Sequence, residues 1–163
     1  MVKEHKALVY NTCLGFVHKQ NDAEDLSQEV FIEAFKNWDA FRGESNVKTW
    51  LYRIAINKSL EHLRSLQRLK RKGNHLEIFE DSVITYEHPG ILLENQERSN
   101  ILMQQIRMLP EQQQTAFILH KIEGLSYEEI GKVMKKTVSS VESLMHRAKH
   151  QLKTKLQHYY VNS

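Results

Sequence analysis

Apolar residues recur along this chain at helical spacing, and nowhere do they keep up the two-residue alternation of a half-buried strand. The pattern predicts helices over residues 4 to 18, 22 to 38, 46 to 71, 91 to 107, 111 to 122, 127 to 134 and 139 to 157. We expect Asn21 and Asp22 to cap the second helix, and Pro110 to begin the fifth. The predicted fold class is all-α.

The two prolines lie where the organisation of the chain changes. Pro89 falls in a poorly periodic stretch, and Pro110 precedes a new periodic segment. We therefore expect two small helical domains, residues 1 to 72 and 93 to 163, joined by a linker over residues 73 to 92. Acidic residues recur in the linker: Glu77, Glu80, Asp81 and Glu87. The simplest interpretation is a solvated tether.

The third predicted helix carries a polar stripe on one face. At 100° per residue the stripe contains Arg53, Asn57, Glu61, Arg64 and Arg68, with Trp50 beside it. Apolar residues fill the rest of the first half, which we expect to be core, while the second half is mainly basic. The stripe spans about 22 Å, or roughly six nucleotides of one strand. It fits either an ordinary solvated face or a contact with a nucleic-acid backbone.

Residues 125 to 152 contain two helix-start signals in succession. Ser126 with Glu129, and Ser139 with Glu142, each have the spacing of a capping box. A short helix, a turn and a longer helix are therefore expected, which is a helix-turn-helix. The outward face of the longer helix carries hydrogen-bonding and cationic groups suited to the DNA major groove: Ser140, Ser143, His146, Arg147 and His150, with Lys149 at its edge. A helical hairpin without a DNA role has the same pattern.

The formal net charge is +3, but the charge is unevenly distributed. Residues 53 to 72 and residues 132 to 155 each hold seven Lys or Arg against one acid, whereas residues 22 to 33 hold five acids and no base. This arrangement favours a polyanion on one surface and a basic protein partner on another. A solvated helix N-terminus would explain only part of the acidic segment.

Known patterns for metal, phosphate or membrane binding are missing from the sequence. No Glu-x-x-His, His-Glu-x-x-His or phosphate-loop spacing occurs, so we expect no metal, no cofactor and no catalytic chemistry. Cys13 stands alone, which favours a buried thiol. No apolar run approaches the length of a membrane span and the start is charged, so a cytoplasmic location without membrane insertion is expected.

Four segments in series resemble a known family. DAEDLSQEVFIEAFKNW, FRGESNVKTWLYRIAINK, LPEQQQTAFILHKIEGLSYEEIGKVM and SSVESLMHRAK are similar to a bacterial RNA polymerase sigma factor of the extracytoplasmic-function type. The resemblance covers about residues 5 to 156, in order. It implies a first half that binds the clamp of core RNA polymerase and the minus-10 element of promoter DNA. The second half would bind the polymerase flap and the minus-35 element.

The resemblance also implies roles for individual residues. Contact with the clamp falls to Asp25, Gln28, Glu29 and Phe31. The minus-10 strand would meet Phe41, in the loop through Asn46 that forms a pocket for a flipped base, and also Arg53, Asn57, Lys58 and Arg64. The minus-35 duplex would meet Ser143, His146, Arg147 and Lys149. Trp38 and Trp50 fit core better than base stacking, given their apolar neighbours.

Some features of the resemblance leave alternatives open. Glu142 departs from the basic residue common in the family, and either caps its helix through the backbone of Ser139 or accepts a hydrogen bond from a cytosine amino group. The acidic linker would occupy the polymerase's nucleic-acid channel, and an anti-sigma factor would control the protein. Two other functions stay open: a free-standing helix-turn-helix transcription regulator, and a carboxylate-metal enzyme in a helical bundle.

Overall fold

The computed structural model describes residues 2 to 41, 43, 45 to 73 and 96 to 162. Its α-helices are α1 (Val2–Val17), α2 (Gln20–Lys36), α3 (Val47–Arg71), α4 (Gln96–Arg107), α5 (Glu111–Phe117), α6 (Tyr127–Met134) and α7 (Val138–Asn162). A 3₁₀ turn at Trp38–Ala40 follows α2, and a π-helical segment, Ile118–Ile122, continues α5. No strand occurs among the described residues, so the all-α prediction is confirmed.

The helices form two compact units, one from α1 to α3 and the other from α4 to α7. Two small helical domains were expected, and this part of the prediction is confirmed. The predicted linker and its acidic residues lie almost wholly outside the described residues, so the domain boundaries at 72 and 93 stay a prediction. No helix in the described part of the chain is long and apolar enough to cross a bilayer.

In the first unit each of α1, α2 and α3 packs against the other two. The buried apolar side chains are Val9, Cys13, Phe16 and Val17 of α1, Ala23, Leu26, Val30, Phe31 and Ala34 of α2, and Leu51, Tyr52, Ile54, Ala55, Ile56 and Leu60 of α3. Cys13 is a buried free thiol, as predicted. A three-helix arrangement buries one face of each amphipathic helix, which is the main source of its stability.

Helix α2 begins at Gln20, so the prediction that Asn21 and Asp22 cap it is wrong. Lys19 occupies the N-cap position and makes no side-chain capping hydrogen bond. The buried His18 before it adopts a left-handed conformation, with φ of 59°. This residue reverses the chain within two residues, so α2 starts before the polar pair is reached. The geometry of the corner therefore sets the helix start, rather than a side-chain cap.

Helix α3 has a buried first half and an exposed second half, as its sequence predicted. Asn46 caps it, because its Oδ1 accepts a hydrogen bond from the backbone N–H of Thr49 at 2.7 Å. Its buried residues all lie between Thr49 and Leu60, and from Glu61 to Arg71 every residue is exposed or partly exposed. The last turns of α3, which are mainly polar, therefore extend beyond the core of the first unit.

In the second unit α4, α5 and α6 all pack against α7. The buried apolar side chains are Met103, Ile106, Leu109, Ala116, Ile118, Leu119, Ile130, Val133, Val141, Leu144, Met145, Ala148 and Leu152. The π-helical segment brings His120 to the start of α6, where its Nδ1 lies 2.8 Å from the carbonyl oxygen of Leu125 and its ring lies 4.8 Å from that of Tyr127. These contacts fix the corner between α5 and α6.

Helices α6 and α7 form the predicted helix-turn-helix. The capping box at the start of α6 is confirmed: Ser126 N–H donates to Glu129 Oε2 at 2.8 Å, and Glu129 N–H donates to Ser126 Oγ at 3.1 Å. Lys135, with φ of 56°, turns the chain after α6. A Cβ atom on Gly131 would lie 2.8 Å from the backbone oxygen of Lys136, so the tight turn requires glycine at position 131.

The second predicted capping box is wrong. Helix α7 begins at Val138, and the hydroxyl of Thr137 accepts the hydrogen bond from the backbone N–H of Ser140 at 3.1 Å. Ser139 is therefore inside the helix, where Glu142 cannot close a box with it. Thr137 and Ser139 both have a hydroxyl that can cap a helix. Because the turn after α6 is short, α7 begins directly after Thr137, and Thr137 is the residue that caps it.

Candidate nucleic-acid and partner interfaces

The polar stripe of α3 lies on the surface of the first unit. Asn57, Arg64 and Arg68 are exposed, and Arg53 is partly exposed. Asn46, the N-cap, continues the same face at the start of the helix. Because the residues recur every three or four positions, the side chains follow one line along α3 over about 22 Å. The structure therefore keeps these predicted residues together, in an arrangement that suits a strand of nucleic acid.

Three aromatic rings meet where this stripe begins. The ring centroids of Phe41 and Trp50 are 4.8 Å apart and the rings are stacked, and Trp38 lies 5.8 Å from Phe41 and 6.0 Å from Trp50. Trp38 is 44% exposed, so the interpretation of Trp38 as core is wrong, whereas Trp50 is partly buried. Trp38 lies after the end of α2, where it packs against the rings of Phe41 and Trp50.

Lys58 does not share the stripe with the other predicted cations. Its Nζ lies 3.0 Å from Glu33 Oε2 of α2. The hydrogen bond to Glu33 raises the pKa of Lys58 above its ordinary value, against a smaller lowering by desolvation, and the charges of Glu33, Glu29 and Glu61 raise it further. The position of Lys58 on α3 is about 100° from the stripe, which turns it toward α2. This ammonium group already has a protein partner.

The exposed face of α2 combines acidic and apolar side chains. Asp25, Gln28 and Glu29 are exposed as predicted, but Phe31 is only 8% exposed and belongs to the core. On the same face as Gln28 and Glu29, Ile32 is 54% exposed and Phe35 is 61% exposed. The sequence reasoning missed these two residues. Their spacing of four and seven from Gln28 was the signal that could have found them.

The four predicted residues of α7, Ser143, His146, Arg147 and Lys149, are all exposed. Ser143 Oγ donates to the carbonyl oxygen of Ser139 at 3.2 Å, which commits its proton and leaves its lone pairs as acceptors. Glu142 is also exposed on this helix. Within the described ranges, no group of three or more His, Cys, Asp or Glu residues is arranged to hold a metal ion.

Family models and known relatives match both halves of the chain. The model for sigma-70 region 2 matches residues 1 to 69, and the model for sigma-70 region 4 matches residues 99 to 152. The RNA polymerase sigma-H factor of Pseudomonas aeruginosa is 35% identical, over 96% of this chain and 84% of the relative. The ECF RNA polymerase sigma-E factor of Escherichia coli K12 is 36% identical, over 83% of this chain and 74% of the relative.

Two solved structures have a similar fold. The sigma factor RpoE of Bartonella quintana, solved in complex with the anti-sigma factor NepR, has a TM-score of 0.69 at 24% identity and matches 96% of this chain and 94% of its own. CnrH, solved in complex with the cytosolic domain of CnrY, has a TM-score of 0.65 at 23% identity and matches 96% of this chain and 84% of its own. With both family models matched in order and relatives similar over most of their length, the chain belongs to the extracytoplasmic-function group of the sigma-70 family of RNA polymerase sigma factors.

Proposed function

We propose that this chain binds core RNA polymerase and directs promoter recognition, strand opening and transcription initiation, in the cytoplasm and without catalytic chemistry of its own. The observation that carries the proposal is the aromatic cluster of Trp38, Phe41 and Trp50 at one end of the polar stripe of α3, whose charged residues are mainly cations. Cations that follow a backbone and rings that stack on bases are the two elements of single-strand binding.

Strand opening follows from the energetics of that cluster. Taking a base out of the duplex stack costs a few kcal/mol, and stacking on an aromatic side chain returns about 1 to 3 kcal/mol per base. Trp38 is exposed near the stripe, and Phe41, in the loop that Asn46 ends, and Trp50 are partly exposed. Arg53, Asn57 and Arg64 would hold the backbone of the minus-10 strand beyond the captured base.

The exposed face of α2 is the proposed contact with the polymerase clamp. Asp25, Gln28 and Glu29 supply acidic and hydrogen-bonding groups for a basic partner, and Ile32 and Phe35 supply apolar area. An apolar centre with a polar surround is the usual anatomy of a protein interface. Phe31 would support this face from the core instead of touching the partner.

The outward face of α7 is the proposed reader of the minus-35 duplex. Arg147 can donate two hydrogen bonds to the O6 and N7 atoms of guanine, which is worth about 1 to 3 kcal/mol of discrimination. Ser143 presents acceptor lone pairs, since its hydroxyl donates to the carbonyl oxygen of Ser139. His146 and Lys149 are placed to contact bases or phosphates beside them.

We further propose that a regulatory protein masks these surfaces. Both solved neighbours are in complex with another protein, and the partner of RpoE from Bartonella quintana is the anti-sigma factor NepR. Such a partner would compete for the exposed apolar residues Ile32 and Phe35 of the α2 face. The acidic residues of the linker, proposed to enter the polymerase channel, lie outside the described residues.

Run-off transcription with core polymerase, with and without the chain, tests the proposed function. We expect a defined start site only when the chain is present. Arg147→Ala should weaken initiation from promoters with a minus-35 element and leave core binding intact, and Lys153→Ala, an exposed cation of α7, is the matched control. Tight duplex binding without polymerase would favour a free-standing regulator, and tightly bound stoichiometric metal would favour a metal enzyme.

A further inference from the structure

A groove of about 400 Å³ opens between α5 and the middle of α7. Its lining residues are Gln113, Arg147, His150, Gln151, Thr154 and Lys155. All six side chains carry hydrogen-bonding groups, none is acidic, and Arg147 and Lys155 are cations at neutral pH. Within the part of the chain that the structure describes, neither cation forms an ion pair. The groove therefore offers positive charge that no acid among the described residues of this unit neutralises.

Gln113 adds a buried polar atom to the α5 wall of the groove. Its Oε1 atom is buried and has no hydrogen-bond partner among the described atoms. Rotating the carboxamide by half a turn would place its NH₂ group there as a donor. An anion with several acceptor oxygens, such as a phosphate, would satisfy this amide together with the neighbouring cations.

The groove continues the proposed DNA-reading face along α7. Ser143, Arg147, His150 and Thr154 recur every three or four residues, so they lie in one line on the helix. From Ser143 to Lys155 the helix rises about 18 Å. The major groove of B-DNA is only about 12 Å wide. If the start of α7 reads base edges, the end that carries Lys155 reaches the sugar-phosphate backbone at the border of the groove.

We propose that this groove holds a backbone phosphate at the edge of the major groove that α7 enters. Lys155 supplies the positive charge at the phosphate, the nearby guanidinium of Arg147 adds to it, and Gln113 of α5 supplies a donor from the opposite wall. The site fixes the register of α7 on the duplex and carries no base preference, as phosphate contacts do. The inference rests on the proposed function, since it presupposes that α7 enters the minus-35 duplex.

The test measures how salt affects promoter binding by the full chain in complex with core polymerase. Each phosphate contact contributes about 0.9 to the slope of log Kobs against log salt concentration. Lys155→Gln should reduce this slope by about 0.9 between roughly 50 and 200 mM salt. Lys153→Gln, which removes an exposed cation of the same helix outside the groove, should leave the slope unchanged. The affinity ratio between promoters with intact and scrambled minus-35 elements should not change.

A second pair of variants tests the α5 wall with charge of the opposite sign. Gln113→Glu should weaken promoter binding severalfold, because it places an anion opposite the phosphate, whereas Gln112→Glu, on the exposed side of α5, should not. Single methylphosphonate substitutions in the DNA should then identify one phosphate whose neutralisation weakens binding by the wild-type chain but not by Lys155→Gln.

Equal slopes for Lys155→Gln, Lys153→Gln and the wild-type chain would overturn the phosphate site. So would a Lys155→Gln variant that keeps its slope but binds core polymerase more weakly without DNA, because the groove would then receive an acidic protein segment. In both cases the proposed function would survive. If the wild-type chain confers no promoter binding on core polymerase, the proposed function fails and this inference fails with it.

Discussion

Lys58 Nζ of α3 lies 3.0 Å from Glu33 Oε2 of α2, so an ion pair joins the helix proposed to hold DNA to the helix proposed to hold polymerase. Glu33 follows the exposed residues Glu29 and Ile32 along α2. The pair therefore lies at the junction of two proposed surfaces. Lys58 is predicted to bind the minus-10 backbone, but it would have to give up Glu33 to do so.

Lys58→Gln should lower the free energy of unfolding of the first unit by about 0.2 to 1 kcal/mol. The figure is small because the two side chains are 28% and 39% exposed and water screens their attraction. Urea unfolding of Lys58→Gln, Glu33→Gln and the double variant would give the coupling free energy at low and high salt. Lys48→Gln, an exposed lysine of the same helix, is the control, and a coupling of zero at low salt would contradict the pairing.

The same coupling should depend on pH with a defined sign. The folded-state pKa of Lys58 is raised, mainly by the hydrogen bond to Glu33, so the folded protein holds the proton more tightly than the unfolded chain. The stabilisation should be fully present below the unfolded pKa of about 10.4 and disappear as the pH rises through the raised value. A coupling that grew with pH above that point would have the wrong sign.

Thr137→Ala should destabilise the second unit by about 0.5 to 2 kcal/mol, because it removes the side-chain acceptor at the start of α7. Ser139→Ala should have little effect, because Ser139 lies within the helix and contributes only its carbonyl oxygen to Ser143. Thermal unfolding of both variants distinguishes the two caps. A larger loss for Ser139→Ala would restore the cap that the sequence favoured.

Phe41→Ala should impair strand opening more than initial promoter binding. Phe41 stacks on Trp50 at 4.8 Å, so its removal disrupts a platform worth about 1 to 3 kcal/mol per captured base. Fluorescence of 2-aminopurine in the minus-10 strand would report opening by the complex with core polymerase. Phe41→Tyr, which keeps the ring, should open the strand normally. Equal opening by the alanine variant would exclude the cluster from base capture.

Phe35→Ala should weaken binding to core polymerase by about 10- to 100-fold. Burying a phenylalanine side chain is worth roughly 1.5 to 3 kcal/mol, and Phe35 is 61% exposed in the chain alone. Leu69→Ala is the matched control, since Leu69 is an apolar residue 38% exposed on α3. A binding titration with labelled chain measures both variants. If Leu69→Ala weakened binding as much as Phe35→Ala, the proposed contact between the α2 face and the polymerase clamp would be contradicted.

Helical periodicity was sufficient for much of the fold because it depends on local sequence. It predicted the described helices to within five residues at each end, counting the π-helical segment with α5, and it predicted the buried and exposed halves of α3 and the capping box at Ser126. It also placed Arg53, Asn57 and Arg64 on one face, since a helix fixes the angle between neighbouring residues. These features need no knowledge of what each helix packs against.

Tertiary packing decided which of several chemically suitable residues occupies each role. Phe31 and Phe35 have similar chemistry on α2, but the contacts of α2 with α1 and α3 bury the first and expose the second. Lys58 meets Glu33 because α2 lies beside that face of α3. Sequence alone determined the helical faces of this protein. Their partners were settled only in three dimensions, because burial and ion pairing depend on neighbouring helices distant in sequence.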